Sequence, residues 1–384
     1  MRRRILVLNE RDLRNPLAGG AEVHVFEIFK RLARRGHEIT LLAASFPGCE
    51  REEEVDGVHV RRLANRYLYY GLVPWVARRE FRRGGYDLVV DTLNKLPFLS
   101  PWFVGRPSFA IVHHLFGTTA FRQVPLPIAL VTWLSEKLIP AAYRGVPMLA
   151  ISPSTKADLV ARGLDARQIW VVPPGVDDAY SAPATGALSE EGLVVWIGRL
   201  EPYKRADLML DAMVEIRRQV RESRLVVVGE GSARSALEER ARRLGMSEHV
   251  RFTGFVSEPD KIGWLRRAAV LVNTSEKEGW GMTVIEGNAC GVPSVSTDVP
   301  GLRDAVRDAD TGLLVPYGDA RALAAGVIRV LTDAVLRERM VVRSLQWAAR
   351  FRWDQVADDT EALFDLAIVP RAVEPRLVAS PFSG

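Results

Sequence analysis

Cysteine is nearly absent from this chain. Cys49 and Cys290 are the only two in 384 residues, too few for a disulfide framework and in keeping with a reducing cytoplasm. Neither they nor the six histidines fall at zinc-ligand spacing. Long apolar runs are missing too: no stretch of about 20 residues is free of charge, which argues against a membrane-spanning helix. The basic start holds an apolar run of only Ile5–Leu8, too short for a signal peptide and suited to a buried strand. The P-loop pattern is absent. A near match to a dinucleotide fingerprint, VVVGEGSAR (Val226–Arg234), fails because Arg234 stands where the third glycine belongs. No zinc-finger, helix-turn-helix or RNA-binding signature occurs, so nucleic acid is not an expected partner.

What the chain does have is core material and an alternating pattern. Hydrophobic residues make up 48%, and the length suits two domains. Short β-branched runs alternate with amphipathic segments: Arg4–Leu8, Glu38–Ala44, Tyr86–Asp91, Ser108–His113, Pro147–Ser152 and Ile169–Pro173 read as strands. These runs are apolar throughout, as strands covered on both faces require. The alternation breaks over Pro173–Gly192, read as a linker. It restarts with strands at Leu193–Gly198, Arg224–Gly229, Val250–Gly254, Ala269–Asn273, Pro293–Thr297 and Gly312–Pro316. The expected architecture is two Rossmann-like, doubly wound α/β domains facing across a cleft, with binding sites at strand carboxyl ends. Charge is uneven. Residues 1–178 hold 25 Lys/Arg against 18 Asp/Glu, and residues 179–384 hold 27 against 29. The basic half suggests an anionic partner.

Three segments carry candidate chemistry. In WIGRLEPYKRAD (Trp196–Asp207) a strand ends at Gly198, and Arg199 and Lys204 follow. Two cations there suit a diphosphate, with Arg offering a bidentate fork; ordinary surface charge reads the pattern equally well. In SEKEGWGMTVIEGNACG (Ser275–Gly291) a helix is expected to open near Gly281. A helix start presents unpaired N–H groups to an anion, and Gly279 and Gly281 let the backbone approach a ligand. Glu278 before that helix and Glu286 within it could each take sugar hydroxyls. A helix-end charge interaction and a solvated helix face are the plainer alternatives. Gly19 and Gly20 lie between the first strand and first helix, as a phosphate-binding turn or an ordinary tight one. His113 and His114 stand at a strand end, where a histidine is more often structural.

Taken together, AGGAEVHVFEIFKRLARRGHE, ISPSTKADLV, VVPPGVD, IGRLEPYKRAD, VVVGEGSAR, FTGFVS and EKEGWGMTVIEGNACGVPSVSTDVPGLRDAV resemble a family 4 glycosyltransferase of the GT-B fold. The last segment carries the family's E-x7-E pattern. The resemblance implies retaining transfer of a sugar from a nucleotide diphosphate sugar, with no cofactor and no required metal. It implies that Glu278 holds donor-sugar hydroxyls, helped by Gly279, Trp280, Gly281, Met282 and Thr283. It assigns the ribose to Glu286, the diphosphate to Arg199 and Lys204, and a further backbone N–H to the Gly19–Gly20 turn. His113 matches the cleft histidine that touches the donor sugar, with His114 as the alternative; Val256 lies near the base. Lys204-Arg205 replaces the lysine-glycine often found after the first clamp. The resemblance also implies a first domain over 1–178, a second over 187–350, a helix over 351–368 crossing back to the first, and a tail over 369–384.

The acceptor side is vaguer. His59–Gly85 and Phe121–Gly145 mix arginines with exposed-type aromatics, which suits an anionic membrane surface or a charged face over a buried helix. The expected acceptor is a lipid-linked or polysaccharide-precursor glycan. The expected location is the cytoplasm, with peripheral docking at the inner membrane face. A GT-B epimerase, a transferase acting on soluble acceptors and a non-catalytic sugar-nucleotide binder are the rivals.

Overall fold

The structure, a computed structural model, describes residues 2–83, 85–105, 107–181 and 189–369. Apart from Val369, the expected tail lies outside these residues, as does 182–188 of the expected linker. Residues up to Gly175 together with those from Arg352 onward form one compact unit, and Val176–Phe351 forms the other.

The first unit holds β1 (Arg4–Leu8), β2 (Glu38–Ser45), β3 (Glu52–Val55), β4 (Val58–Asn65), β5 (Leu88–Leu93), β6 (Ser108–Val112), β7 (Met148–Ala150) and β8 (Ile169–Val171). Their order in the sheet is β3-β4-β2-β1-β5-β6-β7-β8. Every pairing is parallel except β3 with β4. The chain builds outward from β1 through β2, then returns to lay β5 on its other side. That reversal opens a crevice at the carboxyl ends of β1 and β5.

The β3–β4 hairpin is an addition to the sequence reading, which took the stretch from His59 as a membrane-facing surface or a charged face over a buried helix. Asp56 and Gly57 join the two strands with φ of 51° and 82°, the paired positive values that a two-residue hairpin turn demands. Val58, Val60 and Arg62 of β4 face inward. Arg62 is tolerated there because Asp12 takes its guanidinium in a fork, Nε to Oδ2 at 2.8 Å and Nη2 to Oδ1 at 2.9 Å. A helix, Arg66–Arg82, follows, and the Asn65 Oδ1 caps it by accepting the N–H groups of Tyr67 and Leu68.

The second unit holds β9 (Leu193–Ile197), β10 (Arg224–Val228), β11 (Val250–Gly254), β12 (Val270–Asn273), β13 (Ser294–Thr297) and β14 (Gly312–Val315). They form an all-parallel sheet in the order β11-β10-β9-β12-β13-β14. Here the winding reverses between β9 and β12, so the loops after Ile197 and Asn273 flank the second crevice.

A final helix, Trp353–Ile368, belongs to the first unit. Its Phe364 packs on Phe29 and edge-on to Phe109. Asp354 and Asp358 reach Arg31 and Arg35, each at 2.7 Å. Gly175 lies beneath this helix: a Cβ there would stand 2.5 Å from the Trp353 backbone nitrogen. Among the described residues no helix is long and apolar enough to cross a membrane. A Gly175→Ala substitution is therefore expected to cost about 1–3 kcal/mol by overpacking, read as a lowered Tm in scanning calorimetry.

Candidate functional site

In the second unit, the crevice is built by two loops stitched to each other. The Trp196 Nε1–H donates to Thr274 Oγ1 at 3.0 Å, and that hydroxyl donates to the Lys204 carbonyl at 2.9 Å. The Glu276 N–H reaches the Tyr203 carbonyl at 2.8 Å. These bonds bring Lys204, after β9, against Glu278, after β12. The Lys204 ammonium donates to Glu278 Oε1, which also accepts the Ser275 hydroxyl at 2.7 Å. Both side chains are about one-sixth exposed, at 17%. Low solvation strengthens their attraction. Arg199 stands apart on the surface, within 3.4 Å of the Tyr203 hydroxyl.

The glycines that imitated a dinucleotide fingerprint serve this loop. A Cβ at Gly229, with φ of +136°, would meet the Gly198 carbonyl at 2.0 Å, and one at Gly231 would meet the Leu200 carbonyl at 2.4 Å. They let the backbone after β10 close on the Arg199 segment. Arg205, standing where the resemblance expects glycine, takes the left-handed conformation at φ 51°. Its guanidinium is held by Asp207 at 2.9 Å and by the Tyr317 hydroxyl at 3.0 Å. The loop thus keeps the shape that glycine would give, at the expense of local strain.

Glu278 leads into a helix, Met282–Ala289, whose N-cap is Gly281 with φ of 108°. A side chain at Gly281 would press on Leu302, and one at Gly301 would strike the Glu278 carbonyl at 2.3 Å. Met282, Thr283 and Gly279 are half-buried, whereas the Trp280 ring is buried edge-on against Phe351. Trp280 therefore has only backbone to offer a ligand.

Glu286 is not on a solvated face. Its side chain is 12% exposed and lies 3.2 Å from the Lys261 ammonium. Lys261 also pairs with Glu258 at 3.0 Å, and the Tyr180 hydroxyl donates to Glu258. Burial pushes the Glu286 carboxyl above the usual range, while Lys261 pulls it back. Val256 is half-buried, and its neighbour Phe255 is exposed after β11. Lys261 was missed in the sequence reading; nothing local marks it as the partner of a glutamate 25 residues further on.

In the first unit, Gly19 is the N-cap of the helix Gly20–Arg34. Its N–H donates to the Glu22 carboxylate at 2.7 Å, a local closure typical of capping boxes. His113 follows β6 and is buried, and its Nε2 lies 3.0 Å from Nδ1 of buried His24. His24 also faces the Trp353 ring, 5.8 Å between centroids. Burial holds His113 at about 3 and His24 well below its ordinary range, so both rings are neutral near neutral pH. One of the two nitrogens donates. The outer nitrogens, His113 Nδ1 and His24 Nε2, have no hydrogen-bond partner among the described residues, so one is a bare acceptor and the other an unused donor. His114 is half-buried against Phe116. His24 was also missed, though a histidine on the apolar face of an amphipathic helix was the available signal.

Two mostly parallel α/β sheets, each with its polar loops at a winding reversal, define the GT-B class of sugar transferases. Family models agree: one described as Glycosyltransferase Family 4 matches residues 18–180, and one described as Glycosyl transferases group 1 matches residues 177–347. The D-inositol 3-phosphate glycosyltransferase of Kribbella flavida is 30% identical, with 93% of each chain covered. The phosphatidyl-myo-inositol mannosyltransferase of Mycobacterium leprae is 28% identical over 90% of this chain and 93% of its own. The fold is shared with Anabaena HepE, solved in complex with UDP and glucose, at a TM-score of 0.74 and 18% identity over 94% of this chain and 98% of that one. The chain belongs to glycosyltransferase family 4 and is a glycosyltransferase.

The buried histidine sets a pH dependence. Below about pH 6.5 the unfolded chain binds a proton that folded His113 refuses until about pH 3, so its contribution to stability falls as pH drops through that window. Between pH 7 and pH 5 the wild type should lose about 2 kcal/mol more than His113→Gln, read from denaturant melts at the two pH values.

Proposed function

We propose that this enzyme moves a hexose from a nucleotide diphosphate sugar to a hydroxyl acceptor with retention of anomeric configuration and without a metal. The observation that carries the reading is the contact of Lys204 with Glu278 beside the glycine-opened start of the Met282–Ala289 helix. A cation, a carboxylate and a row of N–H groups meet there within one small surface. Lys204 and Arg199 neutralise the diphosphate, and the helix N–H groups share its charge. The leaving phosphate is the group that gains negative charge as the glycosidic bond breaks, so these donors favour the transition state over the bound substrate. Glu278 takes hydroxyls of the sugar, and Glu286, paired with Lys261, takes the ribose diol. Backbone at Gly279–Thr283 and the loop at Val256 complete the donor's surroundings. In the first unit the Gly19 amide is engaged by Glu22, so Gly20 is the better phosphate contact of that pair, and His113 keeps the family pattern's role toward a donor sugar. The departing phosphate takes the acceptor proton, so the reaction needs no protein base.

The acceptor in this reading is a lipid-linked or polysaccharide-precursor glycan presented at the inner face of the membrane. The relatives' names divide between a free inositol phosphate and a phosphatidylinositol. Acceptor trials should therefore include both a soluble polyol phosphate and its lipid-borne counterpart.

Nucleotide release from a panel of nucleotide diphosphate sugars tests the reading. Lys204→Ala and Glu278→Ala should each lower turnover by about 10²-fold or more with the fold retained in circular dichroism; wild-type turnover in both would defeat these assignments. Turnover should also persist in excess chelator, and a requirement for added divalent metal would refute the metal-free mechanism.

A further inference from the structure

The helix Leu126–Glu136 is inside out. Leu126, Leu130, Val131 and Leu134 are 69%, 45%, 56% and 49% exposed, while Ala129, Thr132 and Glu136 are buried. A surface helix ordinarily turns its apolar stripe to the core and its polar face to water. Here the polar contacts decide the orientation. The Glu136 carboxylate is fully buried, accepts the N–H groups of Phe116 and Gly117 at 2.6 and 2.8 Å, and pairs with Arg162 at 3.0 Å. Turning Leu130 or Leu134 inward would carry that carboxylate out to water and leave the Phe116 and Gly117 N–H groups and the Arg162 guanidinium without it. The apolar face is therefore held outward by design of the unit's interior. It continues at both ends: Phe121 before the helix is 41% exposed and Leu138 after it is 42% exposed.

Charge identifies what covers this face. From Thr92 to Ala157 the chain has six Lys/Arg and a single carboxylate, Glu136 itself. That carboxylate is buried, so the stretch adds no negative charge to the surface. Exposed Arg122 and Lys137 bracket the helix, and the Lys137 ammonium lies 3.6 Å over the Trp133 ring. Cations and aromatic rings flanking an apolar stripe match the boundary between anionic headgroups and acyl chains. Eleven residues make a helix of about 16 Å, half of the roughly 30 Å hydrocarbon layer. Such a helix lies along a bilayer surface.

We propose that the outward face of Leu126–Glu136 inserts into a bilayer bearing anionic lipid, with Arg122 and Lys137 at the headgroup phosphates. This rests on the reading of a membrane-face enzyme and names the element that makes the contact. Flotation of the full chain with phosphatidylcholine vesicles, with and without phosphatidylglycerol, tests it. The wild type should float with the anionic vesicles. Leu130→Ser with Leu134→Ser should lower that partition by about tenfold, with Tm and donor turnover retained. Arg122→Ser with Lys137→Ser should weaken binding mainly at low salt. A wild type that floats with neither vesicle overturns the membrane reading and this inference together. Serine variants that float like the wild type overturn this inference alone. A wild-type dimer in sedimentation that the serine variants abolish would give the face to a second copy of the chain and likewise overturn it.

Discussion

The second unit's polar crevice depends on one contact between opposite charges, Lys204 and Glu278, held where water reaches each only in part. Neither side chain would keep its place alone. Lys204 sits on a short turn whose carbonyl is held by Thr274, and Glu278 sits on a loop braced by Ser275. Removing one partner leaves the other partly desolvated without compensation. The contact joins the loops after β9 and β12, and in the proposed reaction a bound diphosphate would offer the ammonium a second anion in place of the first. The proposed chemistry is thus an exchange of ion-pair partners more than a rearrangement of the backbone.

The glycines around this contact follow from close approach. Gly229 and Gly231 admit the backbone that positions the Arg199 segment, and Gly301 admits the Glu278 carbonyl. Arg205 shows the opposite solution, a bulky residue held in a left-handed conformation by Asp207 and Tyr317. Glu286 has its own counter-ion in Lys261, so two carboxylates eight residues apart meet different environments. One is paired at the crevice surface, and the other is desolvated and raised toward protonation.

The first unit holds one pair of histidines by burial. His24 and His113 share one hydrogen bond, and Trp353, from the helix that closes the unit, lies beside His24. The chain's last described helix therefore reaches the surroundings of a residue near its first helix. The same unit turns Glu136 inward and leucines outward, which is where its surface departs from that of a globular domain's ordinary helix.

Much of this was legible in the residues themselves. Apolar runs at strand length announced buried parallel strands, and the structure has them at the expected positions, because alternation and burial are local properties of a chain. Gly281, Glu278 and Glu286 stood out because a helix start and its spacing are local as well. The β3–β4 hairpin was equally readable at Asp56-Gly57 and was hidden only by the charged residues around it. The sequence by itself determined the central strands of the two sheets and the loops that carry charge. Tertiary structure decided which charges meet: Lys204 with Glu278, His24 with His113, Arg62 with Asp12 and Glu286 with Lys261. Those partners lie far apart along the chain, and only the order of strands, set by crossovers that no local pattern encodes, brings their carboxyl ends side by side.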